Sequence, residues 1–222
     1  MKSIREQVLE AEQQAELGPG KDERFAGYGV MGLPFSSGHV LAMRRFPVTS
    51  VGPGYRSVWL RRPSGSWTIY ADAPPQLSCA RYFGAALAQA VQCAIEITWT
   101  GDAAFSVRIA GDVGLAWDVE LEATPVTRAM TAALAALPGS ILENGSVLKV
   151  MGAASGPVLR AGRLGLTGAV PNRQGFRAQP RRMWFVSGSS AALAGEDLGI
   201  PRPLRVQTGL GDFWIPQRGI FL

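Results

Sequence analysis

Residues 93–123 read CAIEITWTGDAAFSVRIAGDVGLAWDVELEA, and apolar and polar side chains alternate in three segments of this stretch. In the first segment Ile97 and Trp99 share one parity, while Glu96 and Thr98 share the other. Successive side chains of a strand point to opposite faces of a sheet. The alternation therefore predicts an antiparallel meander with one buried face and one polar face.

The spacing also predicts the register of the first two strands of the meander. Trp99 and Phe105 share a face if residues 101–103 form the turn, and Glu96 then lies opposite Arg108. A shift of one residue would move half of the apolar side chains into solvent. We therefore expect Glu96 and Arg108 on the same, polar face of the sheet.

The rest of the chain is typical of further short strands with a few helices. A capping box at Ser3–Glu6 begins one helix, and Thr124 with Pro125 begins another that extends to Leu137. The glycine-rich residues 25–37 are predicted to be a loop. Further strands are predicted over residues 40–46, 55–62, 66–70, 158–167, 176–179 and 182–186, with one or two more between 204 and 222.

These elements favour a mainly β fold. Many short strands separated by glycine and proline are typical of sandwiches and barrels. We predict that the meander closes into a lipocalin-like barrel, or folds as a strongly bent sandwich, with two or three peripheral helices. A closed barrel would also leave no exposed sheet edges. Residues 1–20 are predicted as an N-terminal helical extension, and residues 21–222 as a single β-rich domain.

The sequence also predicts where the protein resides. Its apolar runs are too short to span a bilayer as a helix, and Glu6 and Glu10 interrupt any secretory signal. We therefore predict no transmembrane segment and a cytoplasmic location. Thiols in the cytosol are kept reduced, so Cys79 and Cys93 are expected to be free.

The positive charge of the chain bears on which partners it could bind. The net charge is +5 at pH 7, and arginine provides nearly all of the basic residues. The doublets Arg44-Arg45 and Arg61-Arg62 lie on predicted strands, where neighbouring side chains point to opposite faces. Zinc-finger spacing, a basic helix and an aromatic-basic motif are absent from the sequence, which argues against nucleic-acid binding.

Few residues could carry catalysis. His39 is the only histidine, which excludes a metal site of two histidines, and two cysteines cannot complete a cysteine-rich zinc site. His39 follows two serines and is a candidate for a serine–histidine pair or for a simple contact with the backbone. Glu96 and Asp118 are candidates for acid–base catalysis if the polar face lines a cavity, and otherwise lie in solvent. No phosphate-binding glycine motif is present, so we expect no cofactor.

The apolar face is the best candidate for a ligand site. It carries Trp99, Phe105 and Trp117, and Trp59 lies in the preceding predicted hairpin. Such aromatic residues fill a core, but in a barrel of sufficient width they also form the wall of a ligand cavity.

Residues 55–70, YRSVWLRRPSGSWTIY, resemble a hairpin of the lipocalin-like enzymes related to carotenoid hydratases and tocopherol cyclases. The order of strands, an interrupting helical stretch and further strands is also similar. The resemblance implies a β-barrel or paired barrels that enclose an isoprenoid or lipid, and it assigns no catalytic residue.

Three functional hypotheses follow. The first is binding of a hydrophobic small molecule, lipid-like or isoprenoid, within the barrel. The second is a cofactor-independent hydratase, cyclase or isomerase that acts on such a ligand. The third is a structural or interaction module with a filled barrel, which would use the N-terminal helix in a homo-oligomer. Whether the interior of the barrel is open distinguishes them.

Overall fold

The computed structural model describes residues 2–18 and 20–222 and gives a mainly β protein. Met1 and Pro19, which belong to the predicted N-terminal extension, lie outside the described residues. The strands are β1 (Phe25–Pro34), β2 (Val40–Thr49), β3 (Pro53–Arg61), β4 (Trp67–Ala71), β5 (Gln89–Gln92), β6 (Glu96–Trp99), β7 (Ala104–Ile109), β8 (Leu115–Glu122), β9 (Thr167–Ala169), β10 (Gly175–Arg177), β11 (Trp184–Leu193), β12 (Glu196–Asp197), β13 (Gly209–Leu210), β14 (Phe213–Trp214) and β15 (Ile220–Phe221). The helices are α1 (Ile4–Gln13), α2 (Ala80–Phe83), α3 (Pro125–Ala136), α4 (Gly139–Glu143) and α5 (Gly145–Leu159), with 3-10 turns at Pro75–Leu77, Gly84–Ala86 and Gly111–Val113.

One large curled sheet contains most of the strands. Its order is β5-β4-β3-β2-β1-β15-β11-β8-β7-β6, with β12 paired to β11. All neighbouring strands are antiparallel except β4 and β5, which are parallel. Two small hairpins, β9–β10 and β13–β14, lie outside this sheet.

The sheet is a half-barrel, so the prediction of a closed barrel is wrong. Its two edge strands, β5 and β6, are consecutive in the chain and are separated only by residues 93–95. The first half of segment 89–99 pairs with β4 and its second half pairs with β7. Within the described residues β5 and β6 do not pair with each other. The chain thus crosses from one edge to the other without a continuous ladder of hydrogen bonds.

The meander itself is confirmed, including its register. Glu96 lies opposite Arg108, and Trp99 lies opposite Phe105. In β8 every second residue from Leu115 to Leu121 is buried, and the polar residues between Trp117 and Glu122 are exposed. The alternation of the sequence thus specified both the face and the pairing.

The sheet is buried on its inner face along the central strands and on its outer face in places. The inner face of all the central strands forms one core that includes Leu41, Val58, Trp117 and Phe221. A second core, which includes Trp59 and Ile69, covers the outer face of β2, β3 and β4. The predicted strands over residues 40–46, 55–62 and 66–70 therefore have two buried faces, which is why they lack clear alternation.

Helices α1, α3 and α5 pack against the sheet. The capping box of Ser3 and Glu6 begins α1, and Ile4 and Val8 of that helix pack into the inner core. Helix α3 has the predicted cap at Thr124 and lies against β11. Helix α5 packs Leu159 against Met183, Phe185 and Ile220 on the outer face of β11 and β15.

The glycine-rich residues 25–37 are not a loop. Residues 25–34 form β1, a central strand that pairs with β2 and β15. Two irregularities interrupt its register with β2, one between Ala26 and Tyr28 and one between Val30 and Leu33.

Among the described helices, none has both the length and the apolar character needed to cross a membrane.

Candidate functional site

The interior of the half-barrel, which the sequence analysis predicted as the ligand site, is densely packed. Phe105 and Trp117 are fully buried there. The Nε1 of Trp117 donates to Ser189 Oγ at 2.9 Å, and the ring of Phe105 lies 5.7 Å from that of Phe221. Neither cavity described below is lined by either residue.

The other two aromatic candidates lie on opposite faces of the sheet. Trp99 is half-buried in the inner core, with its ring 5.4 Å from that of Phe105. Trp59 is buried in the outer core, 4.6 Å from Phe83. The structure therefore brings Trp99, Phe105 and Trp117 together and separates Trp59 from them, because residue 59 has the outward parity of β3.

The acidic candidates lie on the solvent side of the meander. Glu96 and Asp118 are both exposed. Arg108 forms its ion pair with Asp118 at 2.7 Å and none with Glu96, which accepts from Thr98. The acidic candidates thus lie on an exposed outer sheet face, where Asp118 forms an ion pair with Arg108 of the neighbouring strand.

A carboxylate that lies in solvent contributes little to stability. We expect Asp118→Asn to change the free energy of unfolding by less than about 1 kcal/mol, because exposed ion pairs are weak and screened by salt. Urea denaturation of Asp118→Asn and of Glu96→Gln measures this change. A loss of several kcal/mol in either variant would contradict the solvent-exposed placement.

His39 lies in the turn between β1 and β2, with its Nδ1 3.0 Å from Ser37 Oγ. Burial and the nearby Arg62 lower the pKa of His39, so the imidazole is neutral at pH 7. No hydrogen bond or ion pair joins His39 to Glu96 or Asp118 in the described part of the chain. The structure thus leaves the three catalytic candidates in two separate places.

An open groove of about 660 Å³ lies beside this turn. Arg61, Arg202 and Arg205 are among its lining residues, and none of them forms an ion pair with a described carboxylate. The groove is open to solvent, and Arg205 is exposed.

The second cavity is small, apolar and outside the curled sheet. It has a volume of about 70 Å³ and lies between helices α3 and α5 and the segments around β9, β10 and β14. Almost all of its lining is apolar, with four methionines among the side chains. The lining residues are Met31, Met130, Leu134, Met151, Ser155, Leu159, Leu164, Gly165, Leu166, Ala178, Pro180, Met183, Phe213, Trp214, Pro216, Ile220 and Leu222.

A buried arginine contacts two residues of this lining. Arg44 donates from Nη2 to the carbonyl of Met31 at 3.2 Å, and its guanidinium lies 5.8 Å from the ring centre of Phe213. It also lies 5.0 Å from the ring centre of Trp59. Burial lowers the pKa of Arg44 to about 10, so it remains charged at neutral pH.

The thiol of Cys79 is another buried polar group on the outer face. It lies 2.9 Å from Tyr55 Oη, and burial raises its pKa. Cys93 is half-buried and packs against the inner core, on the other side of the sheet. Among the side chains that the structure describes, no three His, Cys, Asp or Glu residues are grouped to hold a metal ion.

Sequence reasoning did not identify the methionine-lined cavity. Met130 and Met151 lie on helices, whereas Met31 and Met183 lie in or next to strands more than 150 residues apart. The one signal available was that Met130 faces the same side of its helix as Leu134.

Comparisons with protein-family models, with curated proteins and with solved structures find no match for this chain.

Proposed function

We propose that this protein binds a hydrophobic small molecule, lipid-like or isoprenoid, in the methionine-lined cavity between helices α3 and α5 and the outer face of the sheet. The observation that carries the proposal is the apolar lining of that cavity. Ligand sites are mostly apolar concave spaces with few polar groups. Ser155 is the polar side chain of the lining, and it already donates to the carbonyl of Met151 at 2.7 Å.

The size of the cavity restricts how such a ligand enters. A volume of about 70 Å³ is less than the roughly 150 Å³ of an engineered cavity that binds benzene. Binding therefore requires the lining to move apart. Methionine has three rotatable bonds and adapts to ligands of different shape. Met130 and Met151 are both half-buried, so neither is fully enclosed by its neighbours.

A second candidate is an interaction module without a ligand. It is favoured by the packed interior of the half-barrel, where Phe105, Trp117 and Phe221 are all fully buried. The enzyme hypothesis requires a catalytic group at the ligand, and none of His39, Glu96 and Asp118 lines the methionine-lined cavity.

Isothermal titration calorimetry with farnesol and with dodecanoic acid tests the proposed function. We expect binding of at least one probe, and we expect Met130→Trp to weaken it by at least about tenfold, because the larger ring fills the cavity. Ile200→Trp is the matched control, since Ile200 is exposed and does not line the cavity. It should bind as the unaltered protein does.

Two outcomes would contradict the proposal. If Met130→Trp binds normally while Trp117→Leu loses binding, the ligand lies inside the half-barrel, as the sequence alone predicted. If neither probe binds, the hypothesis of an interaction module replaces the hypothesis of a ligand-binding protein. Thermal denaturation of each variant distinguishes a blocked cavity from an unfolded chain.

A further inference from the structure

Positive charge is concentrated in one part of the chain, which we call the basic segment (residues 123–183). It contains eight of the 22 Lys and Arg residues and one of the 17 Asp and Glu residues. The segment therefore has a net charge of +7, whereas the rest of the chain has a net charge of −2. The basic residues are Arg128, Lys149, Arg160, Arg163, Arg173, Arg177, Arg181 and Arg182.

These basic side chains are directed mainly to solvent. All of them except Arg182 are exposed. None forms an ion pair with a carboxylate of the described residues; Lys2, Arg45, Arg56, Arg81 and Arg108 form the ion pairs of the structure. Apart from Arg163, whose guanidinium lies over the ring of Trp214, and Arg182, which donates to the carbonyl of Gln7, their charge is thus available to an external partner.

The same segment exposes apolar helix faces. Val126 of α3 is 42% exposed, and Val150 and Val158 of α5 are 69% and 58% exposed. These are three of the five large hydrophobic side chains that are exposed in the described structure. The rest of the outward faces is small and apolar, apart from Ser146 and two basic side chains, and includes Ala129, Ala132, Ala133, Ala136, Ala153, Ala154 and Pro157.

Charge and apolar surface occur together on these helices. With 100° between successive residues, Arg128 lies at the margin of the alanine face of α3, and Lys149 lies at the margin of the outward face of α5. Neither helix contains an acidic residue. An apolar face with basic margins is the arrangement of helices that lie in the interface of an anionic membrane.

We propose that the basic segment attaches this protein to an anionic lipid surface, with the outward faces of α3 and α5 against the lipid. Cationic side chains near such a surface are attracted to it, and exposed valines gain by leaving water. A nucleic acid would use the charge but would gain nothing from the valines, and Phe176, the one aromatic residue of the segment, is half-buried. The proposal does not depend on a ligand in the methionine-lined cavity.

Co-sedimentation of the full chain with vesicles tests the attachment. We expect binding to vesicles of phosphatidylglycerol and phosphatidylcholine at low salt, and much weaker binding to phosphatidylcholine alone. The pair Arg128→Glu and Lys149→Glu should weaken binding by at least about tenfold, since each charge near the surface contributes. The pair Arg5→Glu and Arg205→Glu changes the net charge equally at exposed residues outside the segment, and it should weaken binding by less than about threefold.

A second pair of substitutions tests the apolar contact at constant charge. Val150→Ser with Val158→Ser should weaken binding by at least about fivefold, since it removes apolar surface from the contact. Normal binding by this pair would overturn the helices as the contact face. An equal loss in both charge-reversed pairs, or no binding to anionic vesicles, would overturn the proposal. Tighter binding to a mixed-sequence oligonucleotide, lost with Arg128→Glu and Lys149→Glu, would replace the lipid with a nucleic acid.

Discussion

Replacement of Arg44 by methionine is expected to lower the free energy of unfolding by about 3–5 kcal/mol, because hydrogen bonds from a charged donor contribute about 1.5–3 kcal/mol each. Arg44 is buried in β2 and donates to three main-chain carbonyls, those of Val30, Met31 and Met43. Methionine has a similar length but no donor. It would leave these carbonyl groups, two of which accept in buried bonds and one in a part-buried bond, short of donors.

The backbone of β1 explains why an arginine occupies this position. The register of β1 with β2 shifts between Val30 and Leu33. At such an irregularity the ladder is locally disrupted. The carbonyls of Val30 and Met31 lie there, and both accept from Arg44. The guanidinium group thus replaces strand hydrogen bonds, and the rings of Trp59 and Phe213 attract its charge.

Urea denaturation measures this prediction, with Arg205→Met as the matched control. Arg205 is exposed, so its replacement should change the free energy of unfolding by less than about 0.5 kcal/mol. Arg44→Lys is expected to remain less stable than the unaltered protein, because an ammonium group lacks the planar fork of the guanidinium. A loss below about 1 kcal/mol for Arg44→Met would mean that other donors satisfy these carbonyls.

The sequence predicted best those elements whose pattern is local. The pairing of Glu96 with Arg108 followed from a period of two, and the start of α3 followed from Thr124 and Pro125. The open half-barrel did not follow, because nothing in residues 89–92 indicates that they pair in parallel with β4. The candidate site could not be predicted from a local pattern either, since its lining combines Met31 with residues of helices that begin more than 90 residues later in the chain.

The glycines of β1 are the clearest case in which composition was misleading. Gly27 and Gly29 are typical of a loop by propensity, yet both lie in a central strand. A side chain at either position would meet a carbonyl of β2, that of Arg45 or that of Met43. Glycine thus allows β1 and β2 to approach closely beside the buried Arg44.

Replacement of Gly29 by alanine is therefore expected to destabilise the protein by about 2–4 kcal/mol, which is at or above the usual range for overpacking. The added Cβ would lie 2.0 Å from the carbonyl oxygen of Met43, a backbone atom that cannot rotate away. Gly29 also exchanges both of its main-chain hydrogen bonds with Leu222, at 3.0 and 3.1 Å. The strand cannot move from β2 without straining these bonds.

Gly84→Ala is the control that separates this steric effect from the general effect of replacing glycine. Gly84 has helical dihedral angles, φ −49° and ψ −38°, and an added Cβ would have no atom within 4 Å. The free energy of unfolding of this variant should rise by about 0.4–1 kcal/mol, because alanine restricts the unfolded chain without strain in the folded state. Urea denaturation of the two variants should thus give changes of opposite sign. Equal stability of Gly29→Ala and the unaltered protein would show that β1 and β2 do not approach as closely as the structure places them.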